Sequence, residues 1–405
     1  MCTAVAIVIR IVISPQMLNL VVDYTSDGGS LLGKLHTGTY AIFVLLPLVL
    51  ISRPIRLQAL EIGKFRGLLR FSAVLIVLTI YLFSVGRAGS SGFLLDTDLS
   101  AAAAGLIALA LGRESRRALG ELVLCVLIAS AVLGIIEAAL KIHFLPFGVA
   151  EEEFRPIGLT SHPLALGALC CLGVGFAPLA PWRLWLRVVA MLVLFLGCAA
   201  SSARLALMMT VFEILALMLF VPWPRLTPQA ERRAKFAALM LTLLLGAALI
   251  TVLLSAGLLY RFRDSLFDQS FMARIEIYQI FGYVSSSQIL FGMGIDSLTA
   301  LVRDKLGMDF IESTPVFITM VFGVFAASIF MVSMIVILRR LLMGVARPAH
   351  IATIIYVIIS LSNNAFSTKT PEMLILTVLL LAFVSPYPAK ESAGAQPAQT
   401  AERTA

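Results

Sequence analysis

Several polar clusters stand beside long apolar runs, and their residue types suit the handling of an anionic, hydroxylated substrate. The first is Arg155-Pro156-Ile157-Gly158-Leu159, followed by Ser161-His162-Pro163. Ser161 and Pro163 are helix-start signals, so His162 is either a capping, interfacial histidine or a contact for a sugar hydroxyl or phosphate. The second, Ser201-Ser202-Ala203-Arg204, sets a cation at the first turn of an apolar helix. The helix dipole disfavours a cation there, which an anionic partner would offset; the plainer alternative is an arginine snorkelling to headgroup level. Arg274 forms the third cluster, and Glu276, two residues on, points elsewhere on a helix. Gly292-Met293-Gly294 is a tight glycine turn that by itself signals phosphate cradling only weakly. In the last cluster, Glu312-Ser313-Thr314-Pro315, Ser313 or Thr314 can cap the next helix with Pro315 in its first turn.

Other acidic residues are better explained without chemistry. Asp96-Thr97-Asp98 has the D-x-D form of metal–nucleotide sites, but Asp98 and Ser100 precede an Ala-rich span and read as helix caps. Glu151, Glu152 and Glu153 read as a solvated face. Glu137 and Glu213 fall inside apolar runs, where satisfaction by a neighbouring helix is the default expectation. Of the five cysteines, Cys125, Cys170, Cys171 and Cys198 lie in or beside apolar segments and, without a C-x-x-C pair, read as packing residues. No metal site and no cofactor is expected.

The elements that position these clusters follow from composition. Apolar residues make up 60% of 405 positions and charged residues 13%, with a mean hydropathy of +0.98. Soluble domains carry about 25% charged residues, so this chain reads as an all-α polytopic membrane protein. Spanning segments of about 17–25 residues are expected near 3–22, 37–52, 70–86, 97–112, 119–142, 161–180, 184–200, 203–222, 236–259, 314–338, 350–366 and 372–387. Arg10 interrupts the first run and no cleavage site follows, so that segment reads as a retained span. A net charge of +8 does not indicate nucleic acid, because the basic residues sit between apolar spans. Arg53, Arg56, Lys64, Arg66 and Arg70, then Arg113, Arg116 and Arg117, then Arg225, Arg232, Arg233 and Lys235, then Arg339, Arg340 and Arg347 all fall on one side of such a bundle. That side is expected to be cytoplasmic, with both termini. Residues 1–388 form one transmembrane domain, and its largest outer loop, 260–313, contains short amphipathic helices around Arg274 with Phe271, Ile275, Tyr278 and Phe281 at helical spacing. The tail, 389–405, reads as disordered and cytoplasmic.

Taken in order, the clusters resemble the bacterial O-antigen ligase and polysaccharide polymerase superfamily of the inner membrane. The resemblance spans roughly residues 120–345. It rests on R-x-x-G with a following His-Pro (Arg155 to Pro163), Ser-x-x-Arg (Ser201 to Arg204), an arginine in a loop helix (Arg274), G-x-G (Gly292 to Gly294), and a polar residue opening a span that contains a glycine (Glu312 and Gly323). It implies a glycosyltransferase-C-like membrane fold of about 12 helices with the large outer loop before the last three. It implies a donor oligosaccharide on a polyprenyl diphosphate, with Arg204 and Arg274 binding the diphosphate, Arg155 and His162 as further substrate contacts, and Glu312 where the ligases carry a histidine base. That difference points to a repeat-unit polymerase, a metal-independent glycosyltransferase working beside a flippase and chain-length or export proteins. A ligase transferring finished glycan and a secondary transporter are the alternatives.

The segregation of basic residues yields a labelling test. Cysteines introduced at Ser115 and Ala346 should resist an impermeant thiol reagent in intact cells, while one at Asp268 should react. The opposite pattern would invert the topology.

Overall fold

A computed structural model describes residues 1–25, 31–52, 56–148, 154–223, 227–255, 269–308 and 311–384. The acidic run 151–153, the first part of the large loop (260–268) and the tail from 389 lie outside the described residues. The described chain is helical, with no β-strand beyond one isolated bridge between Val345 and Val384. Its principal helices are α1 (Cys2–Val12), α2 (Pro15–Asn19), α3 (Thr37–Ser52), α4 (Ala59–Ser84), α5 (Ser100–Ala110), α6 (Arg113–Leu140), α7 (Pro163–Phe176), α8 (Leu184–Ala200), α9 (Arg204–Phe220) and α10 (Pro228–Ser255). There follow α11 (Gln269–Glu276), α12 (Ser286–Phe291), α13 (Ile295–Leu306), α14 (Thr314–Phe322), α15 (Val324–Leu342), α16 (Arg347–Ser362) and α17 (Glu372–Ala382).

Four helical stretches are long and apolar enough to cross a membrane: Ala59–Ser84, Ala88–Ala110, Arg113–Leu140 and Val324–Leu342. The 28 residues of α6 span about 42 Å at 1.5 Å each, against roughly 30 Å of hydrocarbon. Several other helices are shorter and equally apolar. α4 and α15 turn Ile76, Val77, Ile80, Phe325, Ile329 and Val332 outward. Such uncovered apolar surface suits lipid and not water, and points to a membrane protein.

α5, α7 and α17 make up the centre. Nearly every residue of Ser100–Leu109 is buried, as is all of α17. α7 packs against α6, α8, α9 and α16, while α17 packs against α5 and α6. With only 11 residues, α17 reaches about 17 Å and cannot cross hydrocarbon alone. The irregular segment 363–371 before it therefore enters the protein, and non-helical backbone at such depth is tolerated where protein buries it or a cavity faces it.

Helical segments occupy each of the expected spans, but three are built differently. Residues 314–338 are not one helix: Gly323, at φ +81°, divides α14 from α15. A Cβ there would lie 2.2 Å from the Leu290 carbonyl oxygen. The first run divides at Ile13 and Ser14, where the Ser14 hydroxyl caps α2 by accepting from Met17 N–H at 3.3 Å. The span expected at 97–112 begins at Ala88 and passes through a π-helical turn, Leu94–Leu99.

That π-turn overturns the capping account of Asp96 and Asp98, because helix continues through both. Asp96 is wholly buried, beside Arg10 at 3.9 Å, and accepts from the hydroxyls of Tyr24 and Thr39 and from His36 N–H at 3.2 Å. Arg10 also donates to the Asp96 carbonyl at 3.1 Å. This carboxylate thus ties α1, the 24–39 region and α5 together. Asp98 is equally buried, and neither of its oxygens has a hydrogen-bond partner among the described residues. At the other end of the bundle Glu61 pairs with Arg116, and Arg340 donates to the Gly63 carbonyl at 3.3 Å.

Removing one partner of a buried pair strands the other. Asp96→Ala should destabilise the protein by about 3–5 kcal/mol, whereas the double change Asp96→Asn with Arg10→Met, which keeps an acceptor for Tyr24, Thr39 and His36, should lose less. Thermal unfolding in detergent measures both, and equal losses would contradict the pairing.

Candidate functional site

The end of the bundle opposite the basic loops holds a cavity of about 930 Å³. Its walls come from segments that are far apart in sequence: residues 15–16, the turn 83–93, the start of α7, residues 294–296, Glu312 with Phe317, and the entering segment 363–372. Side chains and glycines that close breaks in helices hold each of these walls.

The Arg155–His162 wall hangs on α6. Glu137, wholly buried, accepts from the amides of Phe144 (3.1 Å), Ile157 (2.8 Å) and Gly158 (2.8 Å). Ser130 Oγ accepts from Leu159 N–H at 3.0 Å. Gly158 has φ +56°, and a Cβ would lie 2.4 Å from the Ser130 carbonyl oxygen, so glycine is required on both counts. The glycine of the R-x-x-G pattern is thereby explained by a backbone clamp. His162 is the N-cap of α7, its Nδ1 accepting from Leu164 N–H at 3.2 Å, as the capping alternative expects. It also borders the cavity. Because Nδ1 accepts the Leu164 bond, Nε2 is the ring nitrogen left to carry the proton.

The opposite wall is joined at the Gly323 break. Arg87 donates to the carbonyls of Phe291 (2.6 Å), Gly292 (2.9 Å) and Val321 (3.2 Å), and the Tyr81 hydroxyl donates to Phe291 at 3.0 Å. Met293 N–H donates to the Met320 carbonyl at 2.8 Å. Gly292 has φ +79°, with space for a Cβ denied by Val321 O at 2.4 Å. The G-x-G turn consequently gathers carbonyls around a guanidinium and is no phosphate cradle, which needs converging N–H groups.

Arg274, on α11, meets a carboxylate that its local sequence does not contain. Its Nη2 lies 2.5 Å from Glu312 Oε2, and its Nε donates to the Ser362 carbonyl at 3.3 Å. Glu312 borders the cavity, so Arg274 reaches it through this pair. Ser313 is the N-cap of α14, but its hydroxyl makes no cap bond; Thr314 Oγ1 donates instead to Ser360 O at 3.1 Å. Arg204 opens α9 as expected, with Ser201 Oγ accepting from Ala203 N–H at 3.3 Å. Arg155 and Arg204 are not among the residues lining the cavity. In the loop helices, Ile277, Ile280, Leu298 and Val302 are buried, while Ile275 and Tyr278 are about half exposed.

Sequence reasoning passed over Arg87, Lys369, Gln16 and Asn364, all of which line the cavity. Lys369 donates to Tyr24 O (2.9 Å) and Lys34 O (3.1 Å), its ammonium 4.5 Å from the Tyr24 ring centroid. A cation between two glycines, as Arg87 is in Gly86-Arg87-Ala88-Gly89, is the sequence signal that could have marked the first of these. No protein-family model matches this chain, and no curated protein matches it.

The cap at His162 can be separated from any contact with a ligand. His162→Ala should cost about 1 kcal/mol of stability, and His162→Asn should recover most of it because Asn also caps. Thermal unfolding of the two variants provides the comparison, and an equal loss in both would remove the capping role.

Proposed function

We propose that the protein is a membrane glycosyltransferase that polymerises polyprenyl-diphosphate-linked oligosaccharide repeat units at the outer face of a bacterial inner membrane. The observation that carries this reading is the cavity: about 930 Å³ at one end of an apolar bundle, bordered by His162 and Glu312, with Arg274 fixed on Glu312. A lipid tail suits the apolar helix surface, and a mixed polar cavity at the helix ends suits the headgroup.

In this mechanism an acceptor hydroxyl gives up its proton to Glu312, its oxygen bonds to the donor's anomeric carbon, and the bond from that carbon to the phosphate oxygen breaks. The polyprenyl diphosphate leaves with the bonding electron pair. Arg274 and Arg204 stabilise the charge that builds on it, with charge-assisted bonds that strengthen as the glycosidic bond breaks. Arg155 and His162 are further contacts for the substrate. The Arg274–Glu312 pair adds a constraint: the guanidinium serves both the carboxylate and the leaving group, so the two are brought to the same place.

A secondary transporter is favoured by one observation, the broken helix at Gly323, since such breaks frame ion sites in transporters. Here, however, the Val321 carbonyl freed at the break accepts from Arg87 at 3.2 Å. That use of the break favours a fixed wall over an ion site.

Arg204→Ala and Arg274→Ala should each abolish polymer while the protein stays in the membrane, and lipid-linked single units should accumulate. Each loss corresponds to about 2.7–4 kcal/mol of transition-state stabilisation, by analogy with one oxyanion donor. Lysine should rescue only partly, because an ammonium cannot grip phosphate oxygens bidentately. Glu312→Gln should stop polymer formation and leave donor binding largely intact. Gel analysis of glycans from cells lacking the native copy tests all three, and full-length polymer from the alanine variants would refute the assignment.

A further inference from the structure

Three cations from three separate segments, Lys34, Arg87 and Lys369, line the cavity, and each is half-buried. Backbone groups fix where their charges stand. The Lys369 ammonium donates to the Lys34 carbonyl at 3.1 Å and to the Tyr24 carbonyl at 2.9 Å, and it lies 4.5 Å from the Tyr24 ring centroid. The Lys34 ammonium in turn donates to the Asp23 carbonyl at 2.6 Å. The Lys369 stem passes over Gly92, where a Cβ would lie 2.8 Å from Cε and 3.4 Å from Nζ. Gly92 has ordinary helical backbone at φ −55°, so its glycine makes room for the lysine and is not needed for conformation.

Arg87 stands at the start of the same turn. Its bonds to the carbonyls of Phe291, Gly292 and Val321 use both Nη atoms, and Nε makes none among the described residues. No nitrogen of Arg87 is both buried and unbonded, so Nε–H keeps accessible surface. Carbonyls orient a guanidinium but bring no net charge, and the group stays charged at any physiological pH. Of the acids on the cavity, Glu312 is paired with Arg274, Glu372 accepts from the Tyr356 hydroxyl at 2.5 Å, and Asp296 is exposed at the start of α13. Like charges gathered along a cavity with apolar helices behind it create a field that is screened less than at an open surface.

We propose that Lys34, Arg87 and Lys369 form a basic wall that receives the carboxylates of an acidic glycan, so that the sugars handled here include uronic acids. The inference rests on the glycosyltransferase reading, in which Arg274 and Arg204 already answer the charge of the diphosphate. Three further cations on the cavity call for a further anion, and the saccharide is the part of the substrate left to supply it. A carboxylate suits the set. Its oxygens accept from Arg87 Nε–H in a charge-assisted bond, and the ammonium groups, already oriented by their carbonyls, attract it without reorganising.

The test uses the full chain in phosphatidylcholine nanodiscs and three short-chain probes below their micellar concentrations: octyl glucuronide, octyl glucoside and octyl phosphate. Hydrogen exchange at residues 86–93 and 365–370 is followed as each is titrated. In low salt the glucuronide should protect these residues with a Kd about 10-fold below that of the glucoside, the value of one charge-assisted bond. The gap should narrow in high salt. Gly92→Ala displaces the Lys369 ammonium but removes no cation; it and Lys34→Gln should each cut the gap severalfold and leave the glucoside Kd unchanged. Loss of the fold would instead weaken both sugars together, and the wild-type comparison needs no variant. Equal Kd values for glucuronide and glucoside would overturn the proposal. So would octyl phosphate protecting the same residues at lower concentration than the glucuronide, which would give the wall to the diphosphate. Full-length polymer from the Arg204→Ala and Arg274→Ala variants would remove the enzyme and leave glucuronide selectivity in place, so the two failures are distinguishable.

Discussion

A helix that breaks inside an apolar bundle frees amides and carbonyls that have no water to turn to, and each must be met by another part of the protein. Most of the distinctive features of this chain answer that requirement at one end of the bundle. Glu137 takes three amides from the connection after α6, Arg87 takes three carbonyls around the Gly323 break, and Lys369 takes two from the 24–34 region. With those demands met, the backbone can leave helical form without unfolding the bundle, and a cavity becomes possible between the loosened segments. Asp96 serves the same end from below by holding the first helix and the π-turn in register.

The cavity inherits its character from how the walls are held. Where a side chain is consumed in bracing, as Arg87 and Lys369 are, it contributes polarity with little freedom. Where bracing leaves an atom over, as at Gln16 Oε1 and Asn364 Oδ1, that atom is buried without a partner among the described residues. The Arg274–Glu312 pair lies between these cases: two opposite charges, partly exposed, joined across 38 residues of sequence. Pairs of this kind contribute modestly to stability because solvent screens them, which leaves both groups available to a ligand of suitable charge.

Much of this was legible in the sequence. Composition and the apolar runs yield an all-helical chain, and Pro163 with His162 or Pro315 with Ser313 mark true helix starts. Arg204 opens its helix as the Ser-Ser-Ala turn suggests. What failed did so for reasons of range. Asp96 reads locally as a cap, because nothing near it reveals that Arg10, Tyr24 and Thr39 converge there from 57 to 86 residues away. Gly323 reads as one more small residue in an apolar span, and only the Leu290 carbonyl pressed against it shows why the helix must break. The partner of Arg274 was sought within a helical turn and lies in another segment. Local pattern reports elements and their ends; long-range electrostatics and backbone crowding do not show in it.

The central claim is that the cavity breaks the bond between a glycan and a polyprenyl diphosphate. Its most direct test is chemical: the purified wild-type protein, reconstituted in liposomes, is given lipid-linked saccharides extracted from the parent cells, and the products are resolved by mass spectrometry. The account predicts longer glycans on the lipid together with free polyprenyl diphosphate, one molecule for each new glycosidic bond. Lipid-linked saccharide recovered unchanged, or merely moved across the bilayer, would contradict it.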